Sequence, residues 1–70
     1  MLRVDDIYAP LRRMDRLSLE RYGHATWELW HAVTNGVPEK AYDDSPLILQ
    51  VWELAHAYLV VRAERDYGQV

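Results

Sequence analysis

The sequence predicts an all-α protein: a helical hairpin of two long antiparallel helices that pairs with a second copy as a dimeric four-helix bundle. Three observations lead there. Apolar residues recur at three- and four-residue steps through two long segments. One strong stop separates the segments, Asn35-Gly36 followed by Pro38. The second segment is apolar around so much of its circumference that a single neighbour would leave part of it wet.

The first helix is expected over about residues 10–34. Pro10 opens it, because proline's missing N–H is an orphan in the first turn, and Asp5 and Asp6 precede it in a short turn. Ile7, Leu11, Met14, Ser18, Tyr22, Ala25, Leu29 and Val33 then share one face without a phase break. Trp30 and Leu19 flank that face, and Trp27 points well away from it. Gly23 costs the middle of such a helix about 1 kcal/mol relative to alanine without breaking it. Ser18 offers an alternative: capping a separate helix there would give a compact three-helix monomer.

A connection over about residues 35–45 follows, long for a helix–helix link. It carries Tyr42, Asp43 and Asp44, with one helical turn possible around Glu39-Lys40-Ala41. The second helix is expected over about residues 46–67, with Ser45 as N-cap and Pro46 in the first helical position. Leu47, Val51, Leu54, Tyr58 and Val61 form one row, and Ile48, Trp52, Ala55 and Leu59 a second beside it. Gly68 suits a left-handed C-cap, and Arg62 and Arg65 complement the negative end of the helix.

Composition narrows the function. The chain has 70 residues, half of them hydrophobic, with three tryptophans, five tyrosines and no cysteine. Disorder, disulfides and thiolate chemistry are therefore excluded. A single core of this size rarely supplies more than about 3–5 kcal/mol, so a second chain, a metal or very good helix packing must help. The net charge of −3 argues against a nucleic-acid binder. The arginines Arg3, Arg12, Arg13, Arg16 and Arg21 spread around the first helix rather than lining a stripe. Ala57-Tyr58-Leu59-Val60-Val61, the longest apolar run, is far too short for a membrane span. The amino terminus lacks an apolar signal stretch, so the expected address is the cytoplasm.

No nucleophile elbow, phosphate loop or deep pocket is legible, and Ser45 reads as a cap rather than a catalytic hydroxyl. The chain is therefore expected not to be an enzyme. One motif rises above composition: Trp27-Glu28-Leu29-Trp30-His31-Ala32 is echoed by Trp52-Glu53-Leu54-Ala55-His56-Ala57. Each copy contains Glu-x-x-His, which puts a carboxylate and an imidazole one turn apart on one helix face. The pattern resembles that of ferritin-like carboxylate metal sites, so Glu28, His31, Glu53 and His56 are alternative ligands for iron, manganese or zinc. Against that, both pairs lie opposite the main apolar faces, where Glu and His are ordinary surface.

The leading expectation is a small non-catalytic interaction protein. It would bind and modulate another protein as inhibitor, anti-activator or adaptor. Its expected partner surface comprises Trp27, Glu28, Trp30, His31, Tyr42, Asp43 and Asp44.

Overall fold

The computed structural model describes residues 4–68. Three α-helices account for most of them: α1 (Val4–Arg13), α2 (Arg16–Thr34) and α3 (Pro46–Gly68), with a 3-10 turn over Glu39–Asp44 between α2 and α3. No strand occurs among the described residues. The protein is all-α.

The first expected helix is two helices. α1 starts well before Pro10, and the backbone of Asp5 and Asp6 is helical rather than a lead-in turn. Pro10 lies inside α1, where it has no N–H to offer the carbonyl of residue 6. The break falls at Met14–Asp15. Met14 N–H donates to the Leu11 carbonyl at 3.2 Å, closing α1 with a tight last turn. Asp15 then turns extended (φ −69°, ψ 171°), and its carboxylate accepts from the Ser18 N–H at 2.7 Å. Asp15, and not Ser18, is the cap of α2. The Ser18 side chain and then this backbone N–H hold the Asp15 carboxyl below its ordinary pKa of 3.8.

Arg65 of α3 fixes the break from outside. Its guanidinium donates to the carbonyls of Leu11 (3.3 Å), Arg12 (3.4 Å) and Met14. These carbonyls stand at the end of α1, where Leu11 already accepts from the Met14 N–H, so a cation there adds hydrogen bonds and complements the helix dipole. Arg65 therefore serves the end of α1 as well as its own helix. Beside it, Arg12 pairs with Glu64 at 3.3 Å, an exposed contact worth little by itself, and lies over the Tyr8 ring.

These contacts hold α1 against the C-terminal half of α3. Leu11, Leu19, Ala57 and Val61 are buried together, with Ile7, Tyr8, Met14, Tyr22 and Tyr58 packed around them. Half-burial pushes the Tyr22 phenol above its ordinary pKa. Toward the other end, Ile48 and Val51 are the buried positions of α3.

The buried stripe of α2 is displaced from the expected face. Leu19, Gly23 and Thr26 are buried, whereas Ser18, Ala25 and Leu29 of the expected face are exposed. Small residues explain the rotation. At Gly23 the Tyr58 ring lies where a side chain would be, 2.2 Å from the position of a Cβ. Thr26 turns its hydroxyl back onto the Gly23 carbonyl at 2.8 Å, so its burial leaves no unmet polar group. The two helices can approach there because neither position carries bulk.

α2 ends at Thr34, and Gly36 takes the left-handed conformation (φ 76°) that the Asn35-Gly36 pair implied. The expected single turn of the connection is the 3-10 segment. Ser45 caps α3 as expected, accepting from the Ile48 N–H at 3.3 Å. Gly68 does not form the expected left-handed cap: it lies within α3, and Gly36 is the one glycine of positive φ among the described residues.

Candidate functional site

Because α1 covers one side of the α2–α3 pair, the opposite side is open. A groove of 690 Å³ runs along it between the two helices. Its floor is small: Gly23 and Thr26 from α2 and Ala55 from α3, with the Tyr58 ring between them. Its walls are bulky. Trp27 of α2 and Trp52 and Leu59 of α3 line it, and they are 60%, 50% and 58% exposed. His24 and His56 stand on opposite walls, and Glu20 and Arg62 line it as well. Side chains this apolar are normally covered in a finished assembly.

The duplicated hexapeptide builds those walls, by a pairing different from the expected one. In each copy the tryptophan meets the histidine four residues on. Trp27 and His31 make an edge contact at 4.6 Å, and Trp52 and His56 stack at 4.7 Å with their planes 8° apart. Residues four apart on a helix are neighbours, so Trp-x-x-x-His is a geometry the backbone supplies. Glu28 does not turn to His31; its carboxylate lies 3.0 Å from His24 Nε2, one turn back on the same helix. The alternative metal set is not brought together. Among the described residues no three His, Asp or Glu side chains are placed to hold an ion.

The expected partner surface divides. Trp27 stands on the groove wall, and Trp30 lies deeper in the same groove, half-buried. Tyr42 packs edge-on against Trp30 at 5.5 Å, so the 3-10 turn holds that indole in place. Asp43 and Asp44 are exposed on the turn, and Glu28 and His31 are exposed on α2. Trp52 and Leu59 belong to the second apolar row of α3, the part of its broad face that one neighbour was expected to leave wet, and both are exposed; neither is in the expected partner surface. Sequence reasoning also missed Gly23 and Ala55 as a floor. The spacing Leu19, Gly23, Thr26, Trp30 was the available signal: a seven-residue stripe with small residues at its centre.

A second apolar area lies on the side that α1 covers in part. Leu54 and Leu47 precede Val61 on α3 by seven and fourteen residues, and Leu29 follows Tyr22 on α2 by seven, so both rows continue the faces that pack on α1. Past the start of α1 these rows are open: Leu29 is 47% and Leu47 58% exposed.

No helix among the described residues is long and apolar enough to cross a membrane. No family model matches the chain, and no curated protein or solved structure is significantly similar to it.

Proposed function

We propose that this protein is a non-catalytic interaction module that binds and modulates another polypeptide, taking an apolar helix face into the α2–α3 groove. The observation that carries this reading is the groove itself, bulky on its walls and small on its floor, with Trp27 and Trp52 more than half or half exposed. Helix-in-groove recognition uses apolar anchors at three- and four-residue spacing, and the groove floor offers the small residues Thr26 and Ala55 to such anchors, with the Tyr58 ring filling the space over Gly23. Exposed tryptophans are the residue type most enriched among interface hot spots.

Three hydroxyls and two imidazoles are engaged locally, which is in keeping with this reading. Ser45 caps α3, and the Thr26 and Thr34 hydroxyls donate to carbonyls of their own helix. His31 and His56 lie against indoles. The test is a display selection for amphipathic helical peptides that bind the wild-type chain. Selected peptides should lose about 100-fold in affinity for the Trp52→Lys variant, as expected when a central anchor is replaced by a charge. Peptides that bind both proteins equally would place the docking surface elsewhere.

A further inference from the structure

Resting on the reading of the α2–α3 groove as a docking face, we propose that its first occupant is a second copy of this chain. The two copies are related by a twofold axis parallel to the helices, so that α2 of each lies against α3 of the other.

Self-complementarity is the first argument. A twofold contact requires one patch to fit itself. This patch carries bulky and small positions together: indoles at Trp27 and Trp52, and a low floor of Thr26 and Ala55 beside the Tyr58 ring that fills the space over Gly23. Placed face to face, each copy's indoles have the other copy's floor to enter. The duplicated hexapeptide adds symmetry within the protomer. It puts one tryptophan–histidine pair on α2 and one on the antiparallel α3, both toward the same side.

Area is the second argument. A helix of 19 residues, the length of α2, is about 28 Å long. Two helices side by side span roughly 20 Å. Their flat projection is therefore about 560 Å², and the relief of the side chains brings the contact area toward the roughly 800 Å² per partner typical of stable complexes.

Charge sets the register. Glu20 of α2 and Arg62 of α3 line the same end of the groove from opposite helices. With the axis along the helices, Glu20 of one copy stands against Arg62 of the other, twice per dimer. An axis across the helices would instead bring that end against the Trp30 end. Among the described residues Glu20 has an exposed contact to Arg16 at 3.6 Å, and Arg62 donates to the Tyr58 hydroxyl at 3.1 Å. Both are free to turn toward a second chain.

A client helix and the second copy then compete for one groove, so peptides that bind it should dissociate the dimer. Sedimentation equilibrium and native mass spectrometry of the full chain test the proposal. The wild type should be dimeric at about micromolar concentration. Trp27→Lys and Trp52→Lys should each weaken the dimer about 100-fold or more, while Leu47→Lys, on the opposite side, should leave it intact. Glu20→Arg and Arg62→Glu should each weaken it about tenfold, and the two together in one chain should restore it. The charge exchange keeps the proposal testable if a tryptophan variant fails to fold. Three results would overturn it: a wild type that stays monomeric, a dimer sensitive to Leu47→Lys but not to Trp52→Lys, or charge reversals whose effects add. A monomer that still binds the selected helical peptides would sink the self-pairing and leave the docking face standing. A monomer that binds none would sink both.

Discussion

Replacing Gly23 by alanine separates helix propensity from packing in this fold. In an isolated helix the change stabilises by about 1 kcal/mol, because glycine gives up the most backbone freedom on ordering. In the folded chain the new Cβ would lie 2.2 Å from Cζ, 2.4 Å from Cε1 and 2.6 Å from Cε2 of Tyr58. Carbon atoms settle at about 3.5–4.0 Å, so the ring must withdraw by more than about 1 Å. Overpacking of this kind costs about 1–3 kcal/mol, and the ring's movement also disturbs the Arg62–Tyr58 bond and the Leu11–Val61 cluster around it. Set against the propensity gain, the expected net loss is about 1 kcal/mol, or about 4–8 °C in Tm for a domain of this size. Urea unfolding followed by circular dichroism, at one fixed protein concentration, reads it directly. In a Tyr58→Ala background the clash is gone, and the same substitution should stabilise by about 1 kcal/mol. A Gly23→Ala variant that is more stable than wild type with Tyr58 present would refute the close approach of α2 and α3.

Two further substitutions probe the junction between α1 and α2. Arg65→Met keeps much of the stem's packing but strips the carbonyls of Arg12 and Met14 of the guanidinium donor and leaves Leu11 with the Met14 N–H alone. A loss of about 1.5–2 kcal/mol in urea unfolding is expected, with increased hydrogen exchange in α1, and an unchanged midpoint would show that water caps α1 equally well. Asp15→Asn keeps a capping side chain and removes its charge. Because the folded pKa of Asp15 is lowered, its extra stabilisation is present above pH 3.8 and fades as pH falls through the folded value. The difference in Tm between wild type and Asp15→Asn should therefore be largest near neutral pH and close in acid, and a gap that persists at low pH would assign the effect to something other than the carboxylate.

The parts of the fold that rest on local chemistry were legible from the sequence. The stop at Asn35-Gly36, the Ser45 cap and the start of α3 at Pro46 all stand where turn and capping preferences put them. The break at Met14–Asp15 was hidden because the apolar period runs through it unchanged. Both α1 and α2 turn toward α3, so Leu11 and Leu19 are buried in one cluster on either side of the junction. Asp15 could have been recognised as a cap, but the donor that fixes the break, Arg65, lies 50 residues away in sequence. The buried face of α2 was misplaced because hydropathy does not register Gly23 and Thr26 as core. Burial there comes from closeness of approach rather than apolar side chains. The same blindness hid the groove, whose floor is made by what Gly23, Thr26 and Ala55 lack.

The placement of the core explains why the groove should matter to the stability of this chain as well as to its contacts. At the α1 end, three helices meet around Leu11, Leu19, Ala57 and Val61. At the other end, among the described residues, α2, α3 and the 3-10 turn meet; Ile48 and Val51 of α3 are buried there, and Trp30 of α2 packs on Tyr42 of the turn. That thinner end carries Trp27 and Trp52 on one side and Leu29 and Leu47 on the other, all substantially exposed. Each apolar Å² removed from water is worth about 25 cal/mol. Covering two half-exposed indoles and a leucine, on the order of 400 Å², therefore amounts to roughly 10 kcal/mol per protomer before the costs of association. Even a fraction of that is comparable to the whole stability of a small domain. On the proposed reading, binding at the groove and folding of the loop-proximal half would be coupled: an occupant of the groove would also complete the core beneath it.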